Sequence, residues 1–336
     1  MKKTIVALAA LTAVGGVFAQ SSVSITGLVG AAYQSVDNSA GTGSAARGLT
    51  LTNADIKLTA VEDLGGGLKA IASVVFETPA LSAGPAPGLP SSGRFGQGLT
   101  RSDTSLGLTG SIGTLTFANT RSTHMLTRGM VAPANLQDGI YDTSGIITRV
   151  GVDALTYSIA PISGFTGFIQ LVEDSNDGNV HAGVFTHVIG VTYANGPMAA
   201  GVQFKRSSFD APPAYAVAAA NIARTSRFEA FATYDLGVAK LGVGYDGSTT
   251  GVAYNSTSDA NAYSLGLSAP VGAITVGFNW AKRDVNSLTE YVVKYDLSKR
   301  TSLNASFGKQ TFDAAPAAST TGVNGQQYRV GLYHAF

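Results

Sequence analysis

The sequence predicts an all-β protein, a transmembrane antiparallel up-and-down β-barrel of about sixteen strands. Three observations indicate this fold: short segments alternate apolar and polar residues, their connections alternate short and long, and few residues are charged. Charged residues make up 13% of the chain, against about a quarter in water-soluble domains. A medium other than water must therefore face much of the surface. A secreted β-sandwich acting as an adhesin or binding protein is the alternative, because its strands alternate in the same way.

Residues 1–19 have the composition of a secretory signal peptide. Two lysines precede an apolar stretch at residues 5–17, and small residues follow it. The apolar stretch is too short for a membrane-spanning helix. We therefore expect cleavage after Ala19, which leaves residues 20–336 as one barrel domain exported from the cytoplasm.

Composition and motifs argue against an enzyme, a metal centre and a nucleic-acid partner. Cysteine is absent and the formal net charge is only +1, so neither a thiolate metal site nor a strongly basic surface is present. The glycines at residues 65–67 lack the full spacing of a phosphate-binding loop and predict a tight turn. We expect no cofactor, and an outer-membrane hydrolase with Ser, His and Asp gathered by folding is the enzymatic alternative. Four histidines lack metal-ligand spacing: His124, His181, His187 and His334.

Alternating segments recur from one end of the chain to the other. In each, apolar residues share one face and polar or small residues share the opposite face, as in a strand between lipid and water. The clearest apolar faces are Val23, Ile25, Val29 and Tyr33; Leu68, Ala72, Val74 and Phe76; Phe228, Ala232 and Tyr234; Ile274, Val276, Phe278 and Trp280; and Tyr291, Val293 and Tyr295.

The connections between these segments fall into two classes, as expected when short turns lie at one end of a barrel and long loops at the other. The predicted tight turns are at residues 63–67, 111–113, 162–164, 195–197, 236–238, 270–272 and 297–300. The predicted long connections are at residues 35–48, 79–100, 121–145, 174–182, 208–224, 247–259 and 313–325.

The C-terminal nine residues form the most regular alternating segment, and the chain stops on an aromatic residue. Lipid offers no hydrogen-bond partner to an open sheet edge, so this closing strand is expected to pair with the strand that begins at Ser22. A barrel of this size is too wide for side chains to fill, which leaves an aqueous lumen. One face of the closing strand carries Tyr328, Val330, Leu332, His334 and Phe336. Small residues expected to keep the lumen open are Gly30, Ser73, Gly277 and Gly331.

Four segments of this chain resemble the general porins of beta-proteobacteria, the Neisseria and Burkholderia type. They are QSSVSITG at residues 20–27, EDLGGGLKA at 62–70, GLTGSIGTLTF at 107–117 and YRVGLYHAF at 328–336. The resemblance implies a passive diffusion channel for ions and small hydrophilic solutes in the lipid of the Gram-negative outer membrane. It also implies a homotrimer of sixteen-stranded barrels, each with a third long loop folded inward.

The stretch at residues 121–145 occupies the position of that third loop. A polar constriction of this kind sorts solutes by size and charge, although an extracellular loop with solvated charges would have the same composition. An excess of cations near the constriction predicts a mild preference for anions. The candidate residues in the loop are Arg121, His124, Arg128, Asp138 and Asp142, and those on the adjoining barrel wall are Lys57, Lys69, Arg101 and Arg149.

Overall fold

The computed structural model describes residues 21–38, 46–77, 100–122, 124–133, 146, 151–176, 180–209, 226–249, 261–311 and 325–336. Within these residues, sixteen strands form one antiparallel sheet that closes on itself. The prediction of an all-β barrel with this strand number is confirmed. The sandwich alternative is wrong, because a single ring of strands leaves no second sheet. The predicted signal peptide lies outside the described residues.

The strands follow one another along the chain with no crossover connection. Their bounds are β1 Ser22–Asn38, β2 Ala46–Gly65, β3 Leu68–Glu77, β4 Thr100–Gly110, β5 Gly113–Arg121, β6 Gly151–Ile159, β7 Phe165–Asn176, β8 Val180–Asn195, β9 Met198–Phe209, β10 Ser226–Asp235, β11 Lys240–Thr249, β12 Ala262–Val271, β13 Ile274–Arg283, β14 Asn286–Asp296, β15 Thr301–Thr311 and β16 Gly325–Ala335.

A single helical turn, α1 Met125–Arg128, lies between β5 and β6. In the described ranges, no helix is long and apolar enough to cross a membrane.

The ring closes where β1 pairs with β16. The register runs from Leu28 opposite Ala335 to Asn38 opposite Gly325. Beyond the strand, Gly27 N donates to the Phe336 carbonyl oxygen at 3.0 Å, and Phe336 N donates back to the Gly27 carbonyl oxygen at 3.0 Å. The last residue of the chain therefore extends the seam, and the predicted pairing of the first and last strands is confirmed.

The two faces of the wall differ sharply in polarity. Apolar side chains point outward and are exposed, as Ile25 and Ile189 (each 61%) and Val330 (59%) illustrate. A soluble protein rarely exposes so continuous an apolar surface, whereas lipid favours it. On β16, Tyr328 and Leu332 share the outward face with Val330, and the inward face carries Arg329, Gly331 and Tyr333. The His334 ring, exposed on the outward side, lies with Nδ1 2.9 Å from Thr301 Oγ1.

All seven predicted tight turns occur, and they lie at the same end of the barrel. We call this the short-turn end. Gly65, Gly66 and Gly67 have φ values of 84°, 62° and 82°, a left-handed conformation that glycine adopts without steric cost. This glycine run is therefore a turn between β2 and β3, as its spacing predicted.

At the opposite end, one connection is shorter than predicted and another was not predicted. β7 and β8 continue to pair until Asn176 lies opposite Val180, so only residues 177–179 connect them, not 174–182. A connection that was not predicted joins β13 to β14 through Asp284, at φ 53°, and Val285. In both places, strands made of polar residues continue to pair beyond the lipid-facing band. Water surrounds both faces of a strand there, so its residues need not alternate between apolar and polar.

Gly30, Gly277 and Gly331 were predicted to keep the lumen open, and this prediction is corrected. Other parts of the chain pack directly against all three glycines. A Cβ built on Gly277 would overlap Ala132, and one built on Gly30 or Gly331 would come within 3 Å of the Tyr333 ring. These glycines instead provide the space into which other parts of the chain pack.

We predict that Phe336→Ala lowers the free energy of unfolding by about 2 kcal/mol. A fully buried Phe→Ala change costs about 3–5 kcal/mol, but Phe336 is 41% exposed and its ring lies over Gly27 at the seam. Fluorescence of the single tryptophan, Trp280, measures unfolding by urea in lipid vesicles. The control is Phe117→Ala, an outward ring away from the seam with 56% exposure. Equal losses in the two variants would contradict a special contribution from the seam.

Candidate functional site

Residues 124–133, here called the anchored segment, follow β5 and pack against the polar face of β10–β13. Its first turn is fixed by the Glu229 carboxylate, which is completely buried. Glu229 Oε2 accepts hydrogen bonds from Met125 N at 2.8 Å and from Gln203 Nε2 at 2.7 Å. Glu229 Oε1 lies 2.8 Å from Lys205 Nζ and 3.4 Å from His124 Nδ1. A buried carboxylate with several donors is satisfied, whereas an unpaired one would cost several kcal/mol.

Two further wall side chains bind the main chain of the segment. Ser264 Oγ donates to the Leu126 carbonyl oxygen at 2.6 Å. Ala132 N donates to Asn279 Oδ1 at 3.1 Å, and Asn279 Nδ2 donates in turn to Glu290 Oε2 at 3.2 Å. Strands β12 and β13 thereby satisfy backbone groups that would otherwise be buried without partners.

A second buried carboxylate, Asp246, organises the wall next to the segment. Arg283 Nη2 lies 2.6 Å from Asp246 Oδ2, and Arg227 Nε lies 3.1 Å from Asp246 Oδ1. Arg283 Nε also donates to the carbonyl oxygen of Ile146 at 2.9 Å. One arginine therefore joins the wall to a residue near the far end of the β5–β6 connection.

Glycines on the inward face permit the close approach of the segment. A Cβ at Gly242 or Gly244 would overlap the backbone at Gly129 or Leu126, and a Cβ at Gly266 would overlap the backbone at Val131. Because the obstructing atoms belong to the backbone, no side-chain rotation would relieve these contacts. The wall of β11 and β12 is thus shaped to receive the segment.

Apolar packing adds to these polar contacts. A buried cluster joins the segment and Ile146 to the inward face of β12–β14. The cluster consists of Leu126, Met130, Ile146, Ala262, Ala281 and Leu288. The segment is therefore held by apolar contacts, hydrogen bonds and ion pairs, which together favour one position.

The chemistry of this cluster does not favour a metal ion. His124, Glu229 and Asp246 can each offer one ligand atom, and these atoms lie within 4.8 Å of one another. However, Lys205 is paired with Glu229, and arginines are paired with Asp246. A metal ion would have to displace or lie beside these positive groups, which Coulomb repulsion opposes. The prediction that no metal is bound stays a prediction.

The structure brings together only some of the candidate selectivity residues. His124 is buried against Glu229, whereas Arg128 is exposed, with Cζ 4.9 Å from the centre of the Phe231 ring. Lys57 lies opposite Thr26 in the β1–β2 register and is exposed. Lys69 is the second residue of β3, at the short-turn end and away from the anchored segment.

For two of the other candidates the structure describes only the backbone, and three lie outside the described residues. Arg101 pairs with Phe76 in β4, and Arg121 ends β5 opposite Gly151, but their side chains lie outside the described residues. The candidates that lie wholly outside the described residues are Asp138, Asp142 and Arg149.

Sequence reasoning missed the wall residues that hold the segment, because it sought charges near the loop rather than opposite it. One signal was available. Inward positions of β9, β10, β11 and β13 carry Lys205, Glu229, Asp246 and Arg283, and charge at such positions indicates an aqueous or packed interior.

Comparison with known proteins agrees with the barrel fold. An anion-selective porin from Comamonas acidovorans has the same fold, with a TM-score of 0.60, 22% identity, and coverage of 94% of this chain and 100% of that one. A triple mutant of the Rhodopseudomonas blastica porin has a TM-score of 0.60, 12% identity and the same coverage. No curated protein matches the sequence. The profile of the Gram-negative porin family matches residues 7–315. The chain therefore belongs to the Gram-negative porin family and forms an outer-membrane channel for passive diffusion.

Proposed function

We propose that the anchored segment lies in the lumen and forms the narrowest part of the channel. The observation that carries this proposal is the binding of its main chain by Glu229, Ser264 and Asn279, all on the inward face of the wall. A loop that projected into solvent would hydrogen-bond to water and would need no such partners. Ions and small hydrophilic solutes then pass between the segment and the opposite wall, where width and charge decide passage.

Passage through this channel requires no covalent step. A polar lumen replaces part of the hydration of a solute, and the fixed charges set the electrostatic free energy along its path. We infer that the protein has no enzymatic activity, because the buried polar groups near the segment hold the backbone in place and do not face a substrate.

A mild preference for anions is the second part of the proposal. Arg128 is exposed on the segment, and Lys57 is exposed on the opposite wall. The structural neighbour from Comamonas is described as anion-selective. Asp55 and Glu77, cross-strand partners in the β2–β3 pair, face the same lumen, and their negative charge keeps the expected preference small.

The assembly proposed is a homotrimer of chains that begin at Gln20 after cleavage of a signal peptide. The resemblance of the mature start and of the closing strand to beta-proteobacterial porins supports both parts. Native mass spectrometry of protein extracted from outer membranes checks them together: we expect three chains, each lacking residues 1–19. A single chain, or retention of those residues, would contradict the corresponding part.

To test the constriction, Gly277→Val should lower single-channel conductance by roughly a third, because the added side chain displaces Ala132 into the lumen. The measurement is single-channel recording in planar bilayers with potassium chloride. The matched control is Gly107→Val, another inward glycine, where a Cβ would meet Thr116 Oγ1 at 3.3 Å and not the segment. Equal reductions in both variants would reject the proposed position of the segment.

To test selectivity, Arg128→Gln should move the reversal potential in a potassium chloride gradient by several millivolts towards cation preference. The change removes an exposed positive charge from the segment and keeps a side chain of similar length. Lys282→Gln is the control, because it removes the same charge from an exposed position on β13 whose neighbours on that face are the outward residues. If both variants shift the potential equally, Arg128 has no particular role in selection.

A further inference from the structure

The outward face of β5–β9 contains a groove of about 580 Å³, here called the outer groove. Its volume is in the range of sites that bind small ligands. Its apolar floor consists of Leu115, Tyr157, Ile169, Leu171, Ile189 and Phe204. These side chains lie on the lipid-facing side of the wall, so the outer groove is separate from the anchored segment and from the path of solutes.

The outer groove rises away from the short-turn end as it crosses the strands. Counted from that end, Leu115 is the third residue of β5, whereas Arg206 is the ninth residue of β9. The stagger of neighbouring strands in a barrel produces this slope. Leu171, the seventh residue of β7 from that end, lies opposite His187, which is the ninth residue of β8 from the same end. One end of the groove therefore lies deeper along the acyl chains than the other.

Two basic side chains, His187 and Arg206, line the upper end of the outer groove. Both are exposed, and they lie directly opposite each other in the β8–β9 register. Two residues nearer the short-turn end, the same outward faces carry Ile189 and Phe204, which are exposed and apolar. A charge on the lipid-facing side is costly at mid-membrane and nearly free at the interface. The change from apolar to basic residues on both strands therefore places the pair at the level of the lipid headgroups.

The charge of this pair is available to a ligand. Among the described residues, no carboxylate lines the groove, and neither Arg206 nor His187 forms a hydrogen bond or an ion pair. Outward carboxylates occur farther along β6 and β7, where Asp153 lies opposite Glu173 and accepts a hydrogen bond from Asn119 Nδ2 at 2.8 Å. Their charge directs an anionic group to the β8–β9 side of the groove. A guanidinium beside a ring N–H donor is well suited to bind the oxygens of a phosphate.

The polar groups lower in the groove are occupied by the chain itself. The Tyr157 hydroxyl donates to the carbonyl oxygen of Ile112 at 2.9 Å, and Gln170 Nε2 donates to Thr156 Oγ1 at 2.8 Å. A polar ligand would find no free partner in these two side chains, whereas an acyl chain needs none. The outer groove therefore matches an amphiphile that has an apolar chain below and an anionic group above.

We propose that the outer groove binds one membrane lipid with an anionic phosphate headgroup. Its acyl chain lies along the apolar floor, and its phosphate accepts two hydrogen bonds from the Arg206 guanidinium and one from the His187 ring. The apolar floor alone would also suit a second copy of the chain. The two basic side chains at headgroup level favour the lipid, because its phosphate has the complementary charge at that level.

The experiment titrates the full protein in detergent with dioleoyl phosphatidic acid and counts bound lipids by native mass spectrometry. Arg206→Gln should raise the half-saturating concentration about fivefold, and Arg206→Gln/His187→Gln about tenfold, because charge-assisted bonds to the phosphate are lost. Lys282→Gln is the matched control, since Lys282 is exposed on the outward face of β13 and lies outside the groove. Its half-saturating concentration should equal that of the unaltered protein.

A second pair of variants tests the place of the acyl chain. Ile189→Trp fills part of the floor and keeps both basic side chains, so it should raise the half-saturating concentration about fivefold. Val243→Trp is its control, because Val243 is exposed on the outward face of β11, outside the groove. Glycerol 3-phosphate carries the phosphate without acyl chains and should not displace the lipid at equal concentration.

Four outcomes would overturn the lipid site. Equal half-saturating concentrations in the unaltered protein, Arg206→Gln and Ile189→Trp would show that the groove does not hold the lipid. Equally strong binding of dioleoyl phosphatidylcholine would show that the basic pair does not recognise an anionic headgroup. Displacement by glycerol 3-phosphate would show that the acyl chain contributes nothing. A change in the number of protein chains per particle in Ile189→Trp would assign the groove to an interface between copies of the chain.

Discussion

The structure depends on the closure of one sheet by the pairing of β1 with β16. Lipid cannot hydrogen-bond to an open strand edge, and each unsatisfied backbone group there would cost several kcal/mol. The register from Leu28–Ala335 onwards and the reciprocal bonds between Gly27 and Phe336 remove both edges. Once the sheet is a ring, the two faces of every strand acquire different surroundings. An apolar outward face and a polar inward face then follow from the two-residue period of a strand.

A ring of sixteen strands is too wide for wall side chains to fill, so what occupies its interior must come from a connection. In the function proposed here, the β5–β6 connection supplies it. Buried ion pairs are costly to desolvate and contribute little net stability, but breaking one is strongly destabilising. The pairs at Glu229 and Asp246 therefore act mainly to specify position. A displaced segment would leave Met125 N without the Glu229 carboxylate, although the ion pairs of Glu229 with Lys205 and of Asp246 with Arg283 lie within the wall and would remain. The apolar contacts of Leu126 and Met130 alone would tolerate sliding.

The wall could be predicted from the sequence because its causes are local. Alternation over a few residues determines which face meets lipid, and the glycines at residues 65–67 or the dipeptide at 196–197 determine a turn by their own backbone preferences. At the β7–β8 connection, the alternation rule placed the strand ends too early. The residues that lengthen these two strands are mostly polar on both faces, so no alternation of apolar with polar residues marks them as strand. The pairwise contacts that anchor the segment could not be predicted from local patterns. Met125 and Glu229 are 104 residues apart, and Ala132 and Asn279 are 147 residues apart, so only the closed ring brings them together.

The net charge of the chain says little about selection, because the charged residues described in the site have two different roles. Lys205, Arg227 and Arg283 form ion pairs with buried carboxylates. Their positive charge is therefore largely neutralised and has little effect on an ion in the lumen. Arg128 on the segment and Arg300 in the turn between β14 and β15 are exposed. A charge influences permeation only if its field reaches the path without a nearby opposite charge. A porin with nearly equal numbers of acidic and basic residues can therefore still prefer anions, provided that more of its carboxylates than of its cations are buried in the wall.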